Sequence, residues 1–342
     1  MGIMSKTYIK KFVYRYDKEV GVPYYSFSDF KGLEREEYFF NNSKGIEIHY
    51  FYYYYPNYQE DKIILFCHGL GPGHASYMAE IETLAKRGYK VLTLDYTGCG
   101  ESKGENLGSI NNPTIDVMDL LDYLSLDKEL VLMGHSLGGY TALKVAASRK
   151  EIKKVVVLAP IISFKPMILR ASKSKFITYW IMRYERKMGK KYDKIDLVQY
   201  LKNTDDNILF IQSVDDPMVP YETSLKLAEE ANNLHVHIIK MDNRKHNPNY
   251  TEEAVKYMNE VFGAFNRRVM DHKIKDDQER INYFKDVSIE RLTAQDQKLY
   301  DTIVTFINAK ESILKAGNNP LLISKEITIW IISFAQYRFA LE

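Results

Sequence analysis

Leu130–Leu143 reads LVLMGHSLGGYTAL. Leu130–Met133 is a short apolar run of the kind that forms a buried strand, and Gly134-His135-Ser136-Leu137-Gly138 fits G-x-S-x-G. Gly139–Ala147 continues with small and apolar residues at helical spacing. A strand, a sharp turn and a helix are the context this pattern requires. At such a turn the serine is forced to positive φ, so the residues two before and two after it must be nearly free of side chain, as Gly134 and Gly138 are. The helix start behind Ser136 aims N–H groups at a developing oxyanion. A strand-to-helix joint with glycines chosen only for tight packing has the same five letters, so the rest of the chain decides between the two readings.

Strand and helix patterns alternate on both sides of this stretch. Glu37–Phe40 and Ile46–Tyr55, joined by Asn42-Ser43-Lys44-Gly45, read as an antiparallel hairpin. Lys62–Cys67, Val91–Asp95, Val155–Ala159, Ile208–Gln212 and Val236–Met241 read as further strands. Helical spacing covers Ser76–Arg87, Pro113–Leu124, Thr223–Ala231 and Glu252–Phe265. The expectation is an α/β protein whose mostly parallel sheet carries helices on both faces, with ligands beyond the carboxyl ends of its strands. Three parts follow: an N-terminal extension over residues 1–36 that has no clear pattern, a core over 37–265, and a helical C-terminal extension over 266–342. From Ser163 to Asn203 the alternation stops in favour of basic and apolar residues, which reads as a helical cap over the sheet's active edge. Its basic character hints at anionic substrates or is simply a solvated surface.

Composition excludes several classes. A net charge of +2 gives no case for nucleic-acid binding. Two cysteines, Cys67 and Cys99, make no disulfide framework, and the start MGIMSKTYIKKF lacks the apolar core of a signal peptide, so a cytoplasmic protein is expected. The longest apolar candidate, Ile327–Ala335, is too short to span a bilayer, so no stable membrane insertion is expected. The helical patterns Gln295–Lys315 and Leu321–Arg338 carry no recognisable chemistry and suit packing on the core or a homodimer contact, with a membrane-surface helix around Trp330 as the lesser alternative.

A serine hydroxyl is a weak nucleophile without a base, and the base needs a carboxylate to hold its tautomer. The order expected after a strand-turn-helix serine is acid, then histidine. Asp215 and Asp216 follow the Ile208–Gln212 strand; Asp216 is preferred because Pro217 stiffens its turn, and Asp215 stays open as the alternative. Among eight histidines, His49, His235 and His237 fall in or beside strands and His272 in the charged tail. His246 follows the last strand by a short polar loop, at the sheet edge where Ser136 and Asp216 should be, and is the candidate base. Leu137 and Leu70 are the candidates for the two backbone N–H donors of the oxyanion hole. His68 and His74 have no carboxylate or cysteine cluster at ligand spacing, so no metal is expected.

With these residues in view, the chain resembles the α/β-hydrolase superfamily over roughly residues 37–265. The pieces are His68-Gly69, Asp95-Tyr96-Thr97-Gly98-Cys99-Gly100-Glu101-Ser102, the Ser136 elbow, Asp216-Pro217 and His246. The D-x-x-G-x-G-x-S loop and the GHSLGG elbow are similar to those of bacterial cinnamoyl and feruloyl esterases and monoacylglycerol lipases. That group usually has Arg or Asn where Thr97 stands and often His where Cys99 stands, so its substrates do not carry over directly. The resemblance implies the α/β-hydrolase fold with an eight-stranded sheet. It also implies a serine hydrolase cleaving small-molecule carboxylic esters through an acyl-enzyme, with no cofactor. The same triad would serve a peptidase or thioesterase, and a non-catalytic sensor could keep the fold.

Overall fold

The computed structural model describes residues 3–310. Eight strands form one sheet: β1 Glu34–Asn41, β2 Glu47–Tyr54, β3 Lys62–Cys67, β4 Lys90–Leu94, β5 Glu129–His135, β6 Lys154–Leu158, β7 Asn207–Ser213 and β8 Val236–Met241. Their spatial order is β1-β2-β4-β3-β5-β6-β7-β8. Only β2 runs against its neighbours β1 and β4; the other pairs are parallel. The turn at 42–45 accounts for the exception. The Asn42 side chain accepts hydrogen bonds from Lys44 N and Ile46 N (both 3.0 Å), closing a hairpin too short for a crossover. Every parallel joint instead spans a helical segment, as parallel pairing requires.

The helices are α1 Ile3–Phe12, α2 Met78–Ala85, α3 Asn112–Leu124, α4 Leu137–Ala146, α5 Phe164–Ser172, α6 Lys175–Gly189, α7 Leu197–Asn203, α8 Leu225–Ala231, α9 Glu252–Met270, α10 Asp277–Phe284, α11 Ile289–Leu292 and α12 Gln297–Asn308. Strands β3, β6 and β7 are buried along their whole length, which is why they read as unbroken apolar runs. Alternate residues divide between two cores. Ile63, Leu65, Leu132, Val155 and Phe210 pack with α3, α4 and the cap, whereas Ile64, Phe66, Met133, Val156 and Leu209 pack with α2 and α12.

Helix α12 fills the second face with Leu299, Tyr300, Ile303, Phe306 and Ile307. Each fully buried side chain of this size contributes roughly 2 kcal/mol. The Lys62 and Lys154 ammonium groups donate to the Ile307 carbonyl, capping the helix end. The apolar face of α12 is therefore taken up by this chain's own sheet. The helical pattern at 321–338 lies outside the described residues. Helix α9 runs on to Met270, so position 265 falls inside a continuous helix.

Between β6 and β7 stand α5, α6, a short 3-10 turn at Tyr192–Lys194, and α7. The inward stripe of α6 is Thr178, Ile181, Glu185 and Gly189. Helix α1 packs beside α6, where the Tyr8 hydroxyl donates to Glu185 Oε1 (2.7 Å) and the Tyr8 ring meets Tyr184 edge-on. The chain after α1 then crosses the loop following β4: Tyr16 N donates to Gly98 O, and Arg15 donates to the Ser102, Gly104 and Gly100 carbonyls. The unpatterned N-terminus is thus a strap joining the cap to the core. Among the described residues no helix is long and apolar enough to cross a membrane.

Candidate active site

Ser136 stands between β5 and α4 at φ 57° and ψ −116°, a strained backbone position for a residue with a side chain. Close packing around the turn holds it there. A Cβ at Gly134 would run into the Gly138 carbonyl, and one at Gly138 into the Cys67 carbonyl, so the helix start can approach both its own strand and the end of β3. The hydroxyl is lifted out of the sheet and remains partly exposed.

Two loops from the same sheet edge meet it. His246, after β8, brings Nε2 to 2.9 Å from Ser136 Oγ, and its Nδ1 lies 2.8 Å from Asp216 Oδ2 after β7. A carboxylate oxygen can only accept, so Nδ1 carries the proton and Nε2 is left to accept from the serine hydroxyl. The Asp216 side chain is fully buried; its other oxygen accepts from Met218 N (2.8 Å) and Val219 N (3.0 Å), which fixes the carboxylate plane. Asp215 points elsewhere. It pairs with Lys245 Nζ (2.9 Å) and accepts from Lys245 N (3.2 Å), tying the acid turn to the histidine loop without touching the imidazole.

Leu137 begins α4, directly behind the serine. Leu70 lies on the loop after β3 with its side chain turned outward. The start of that loop is pinned at His68: its ring stacks on Tyr96 at 3.9 Å, its Nδ1–H donates to Gly69 O (2.7 Å), and Tyr96 O–H donates to His68 O (3.0 Å). Burial pushes His68 down to about 4, so the ring is neutral. His74 is paired with Asp95 (2.8 Å) and with the Tyr53 hydroxyl (2.9 Å). Burial works against the Asp95 carboxylate, but His74 and the surrounding hydrogen bonds outweigh it and bring Asp95 down to about 2. Both histidines are engaged within the protein, and among the described residues no group of His, Cys, Asp and Glu is gathered as a metal's ligand shell would be.

Three features had no separate signal in the sequence. His135, the variable position of the motif, donates Nε2–H to the His246 carbonyl (2.7 Å) and accepts from the Tyr77 hydroxyl at Nδ1 (2.9 Å). Burial, with His246 beside it, pushes His135 down to about 3. Glu80 is pushed up to about 7 by burial and accepts from Asn249, three residues past His246. The C-terminal extension reaches the same loop. Tyr250 bridges to Gln295, Asn249 Nδ2 donates to Gln295 Oε1 (2.8 Å), Thr251 N donates to Ala294 O, and Arg244 pairs with Asp296 (3.1 Å).

The family model described as "Serine aminopeptidase, S33" matches residues 58–196, from before β3 to just before α7, and stops short of Asp216 and His246. Salicylic acid-binding protein 2 of Nicotiana tabacum is 35% identical over 83 residues, 24% of this chain and 32% of that protein. The curated relatives of this kind are matched over only 31% to 38% of their own length. Among solved structures, the Pyrococcus furiosus esterase Pf2001 superposes with a TM-score of 0.54 at 18% identity, covering 75% of this chain and 98% of that one. Est1E from Butyrivibrio proteoclasticus, with ferulic acid bound, superposes with a TM-score of 0.51 at 22% identity, covering 68% and 98%. These likenesses show a shared fold.

Proposed function

We propose that the chain, which has the α/β-hydrolase fold, cleaves carboxylic esters of small, medium or aromatic acids through an acyl-enzyme on Ser136. The observation that carries the reading is the unbroken line Ser136 Oγ to His246 Nε2 (2.9 Å) and His246 Nδ1 to Asp216 Oδ2 (2.8 Å). In this reading His246 Nε2 takes the hydroxyl proton as Oγ bonds to the ester carbonyl carbon. Asp216 keeps the imidazole in the required tautomer and stabilises the imidazolium. The negative carbonyl oxygen is received by the N–H groups of Leu137 and Leu70, each worth roughly 10²- to 10³-fold in rate. Collapse breaks the carbon–oxygen bond, and the leaving alkoxide carries off the proton from Nε2. Water then attacks the acyl carbon with His246 as base again, releasing the acid and restoring the serine.

Amide cleavage is the second reading, favoured by the serine aminopeptidase description of the matching family model. The test is turnover of p-nitrophenyl acetate and butyrate beside amino-acid p-nitroanilides, each with Ser136→Ala as control. Ester turnover that vanishes in Ser136→Ala is the expected outcome. Full activity in that variant would end the serine mechanism, and faster anilide than ester turnover would move the assignment to amides. Labelling by a fluorophosphonate separates an active serine from a binding protein that has kept the fold.

A further inference from the structure

Helix α6 has two unlike faces. Its inward stripe is the buried one named above, with the Glu185 carboxyl held by Tyr8 and Asn111. Its outward stripe begins with Phe176, Tyr179 and Trp180, which are 66%, 59% and 42% exposed, and continues through Arg183, Arg186, Lys187 and Lys190. The Trp180 ring sits edge-on to both Phe176 and Tyr179. Leu169 on α5 is exposed as well, as are Lys165, Arg170, Lys173 and Lys175 in the same stretch of chain. Segment 163–203 holds eleven Lys and Arg against three Asp and Glu, a balance of +8 in a chain whose total is +2. Its acids do little to offset this outside. Glu185 faces inward, Asp196 accepts from the first N–H groups of α7, and Asp193 approaches Arg186 at 4.0 Å. Helix α1, packed beside α6, adds exposed Lys6, Lys10, Lys11 and Phe12.

Adjacent exposed aromatic rings among cations that greatly outnumber their acids form an interfacial pattern: rings of this kind settle at headgroup depth while cations meet lipid phosphates. We propose that the outward face of α5 and α6 docks on an anionic lipid surface. Charge decides among the occupants. A second copy of the same face would set +8 against +8, and the C-terminal stretch Leu321–Glu342 has two cations and two acids, offering no complement. Single-stranded nucleic acid also uses rings and cations, but it stacks on open ring faces along a groove. Here the rings turn edge to face on one another, on a convex helix, beside the aliphatic Leu169. The docking is peripheral and leaves the cap folded.

The test is sedimentation of the full chain with vesicles of phosphatidylcholine, alone or mixed with phosphatidylglycerol. Binding is expected only with phosphatidylglycerol and is expected to weaken with salt. Phe176→Ser/Tyr179→Ser/Trp180→Ser should abolish it. Lys173→Gln/Lys175→Gln/Arg183→Gln should lower the partition coefficient about fivefold per cation, roughly a hundredfold in all. Thermal melts by circular dichroism check that both variants stay folded. In a Trp330→Phe background, Trp180 emission should shift to shorter wavelength on vesicle addition. No vesicle binding, equal binding to both vesicle types, binding unchanged in either variant, or retention of an RNA oligonucleotide in place of vesicles would each overturn the proposal. None of these readouts requires turnover, so the outcome is independent of the hydrolase reading.

Discussion

His135 offers the sharpest test of how the proposed base is held. Its ring is buried between Tyr77 and the His246 loop, with the His135 and His246 ring centres 4.7 Å apart. The tautomer follows from its partners: a carbonyl can only accept, so Nε2 holds the proton that reaches His246 O (2.7 Å) and Nδ1 accepts from Tyr77 (2.9 Å). With its pKa down at about 3, the ring stays neutral at every pH at which an esterase would be assayed, so it positions His246 and exchanges no proton. Replacing His135 by Phe keeps a ring in the same space and deletes both nitrogens. The His246 carbonyl and the Tyr77 hydroxyl are then left buried without this partner, a loss of about 1–3 kcal/mol in stability. The kinetic effect should be larger, because the 2.9 Å contact from His246 to Ser136 is set by this backbone anchor and a misplacement of ~1 Å costs on the order of 10²-fold.

The expected result for His135→Phe is a fall of ~10- to 100-fold in kcat on p-nitrophenyl butyrate, with KM little changed and urea denaturation showing the smaller stability loss. Tyr77→Phe removes only the partner of Nδ1 and leaves the bond to His246 in place, so its kcat should fall less than about tenfold. The acidic limb of the pH–rate profile should stay where it is in both variants, since His135 does not titrate there. Wild-type kcat in His135→Phe, a Tyr77→Phe defect larger than that of His135→Phe, or a displaced acidic limb would refute the positioning role.

The two adjacent aspartates should separate cleanly. Asp216→Asn leaves His246 without its carboxylate and should lower kcat by ~10⁴-fold, whereas Asp215→Asn breaks a partly exposed pair with Lys245 and should cost ~0–1 kcal/mol of stability. If Asp215→Asn proved the more damaging to kcat, Asp216 would not be the acid. Glu185 makes a prediction in pH. Burial raises its carboxyl from 4.5 to about 7, so the folded state holds the proton more tightly than the unfolded chain. Its stabilising share is therefore whole below the unfolded pKa and is lost as pH rises through about 7, a decline of roughly 3 kcal/mol. Glu185→Gln imitates the protonated acid and should reduce that slope in urea melts run at about pH 5 and about pH 8; Glu80, raised to about 7 in the same direction, keeps part of it. An unchanged slope in Glu185→Gln would remove Glu185 as its source.

The sheet and the gathering of Ser136, Asp216 and His246 were legible for a common reason. Strands covered on both faces must be continuously apolar, and in a parallel sheet the loops after β5, β7 and β8 open on one edge, so chain order alone predicts the meeting. The N-terminal helix was not legible because its partner is remote. Tyr8 is tied to Glu185, 177 positions away, and a single buried tyrosine among lysines leaves no periodic stripe to read. Helix α9 runs past the expected Phe265 to Met270, and Arg267 and Arg268 in its last turn suit the negative end of the helix dipole. His135 sits inside a motif that specifies only its neighbours. Its contribution depends on where the His246 carbonyl lies in space, which no spacing encodes.

The placement of residues 293–296 changes what the C-terminal extension is for. The loop before His246 contains two non-glycine residues at positive φ, Asn243 (59°) and Lys245 (51°), and such a conformation persists only where its surroundings over-determine it. The acid turn supplies part of that constraint, through Ser213 Oγ to Arg244 N (3.2 Å) and Asp215 to Lys245. The elbow supplies another, through His135. The remainder comes from the extension: Asp296 holds the Arg244 guanidinium, which also donates to Tyr250 O (2.9 Å), and Gln295 pairs with Asn249 and Tyr250. Helix α12 then anchors this strap by burying its apolar face under the sheet. Three separate parts of the chain thus constrain the path of the loop that carries the imidazole to within hydrogen-bond reach of Ser136. In that sense residues 266–310 belong to the site, although none of them touches Ser136, Asp216 or the His246 ring.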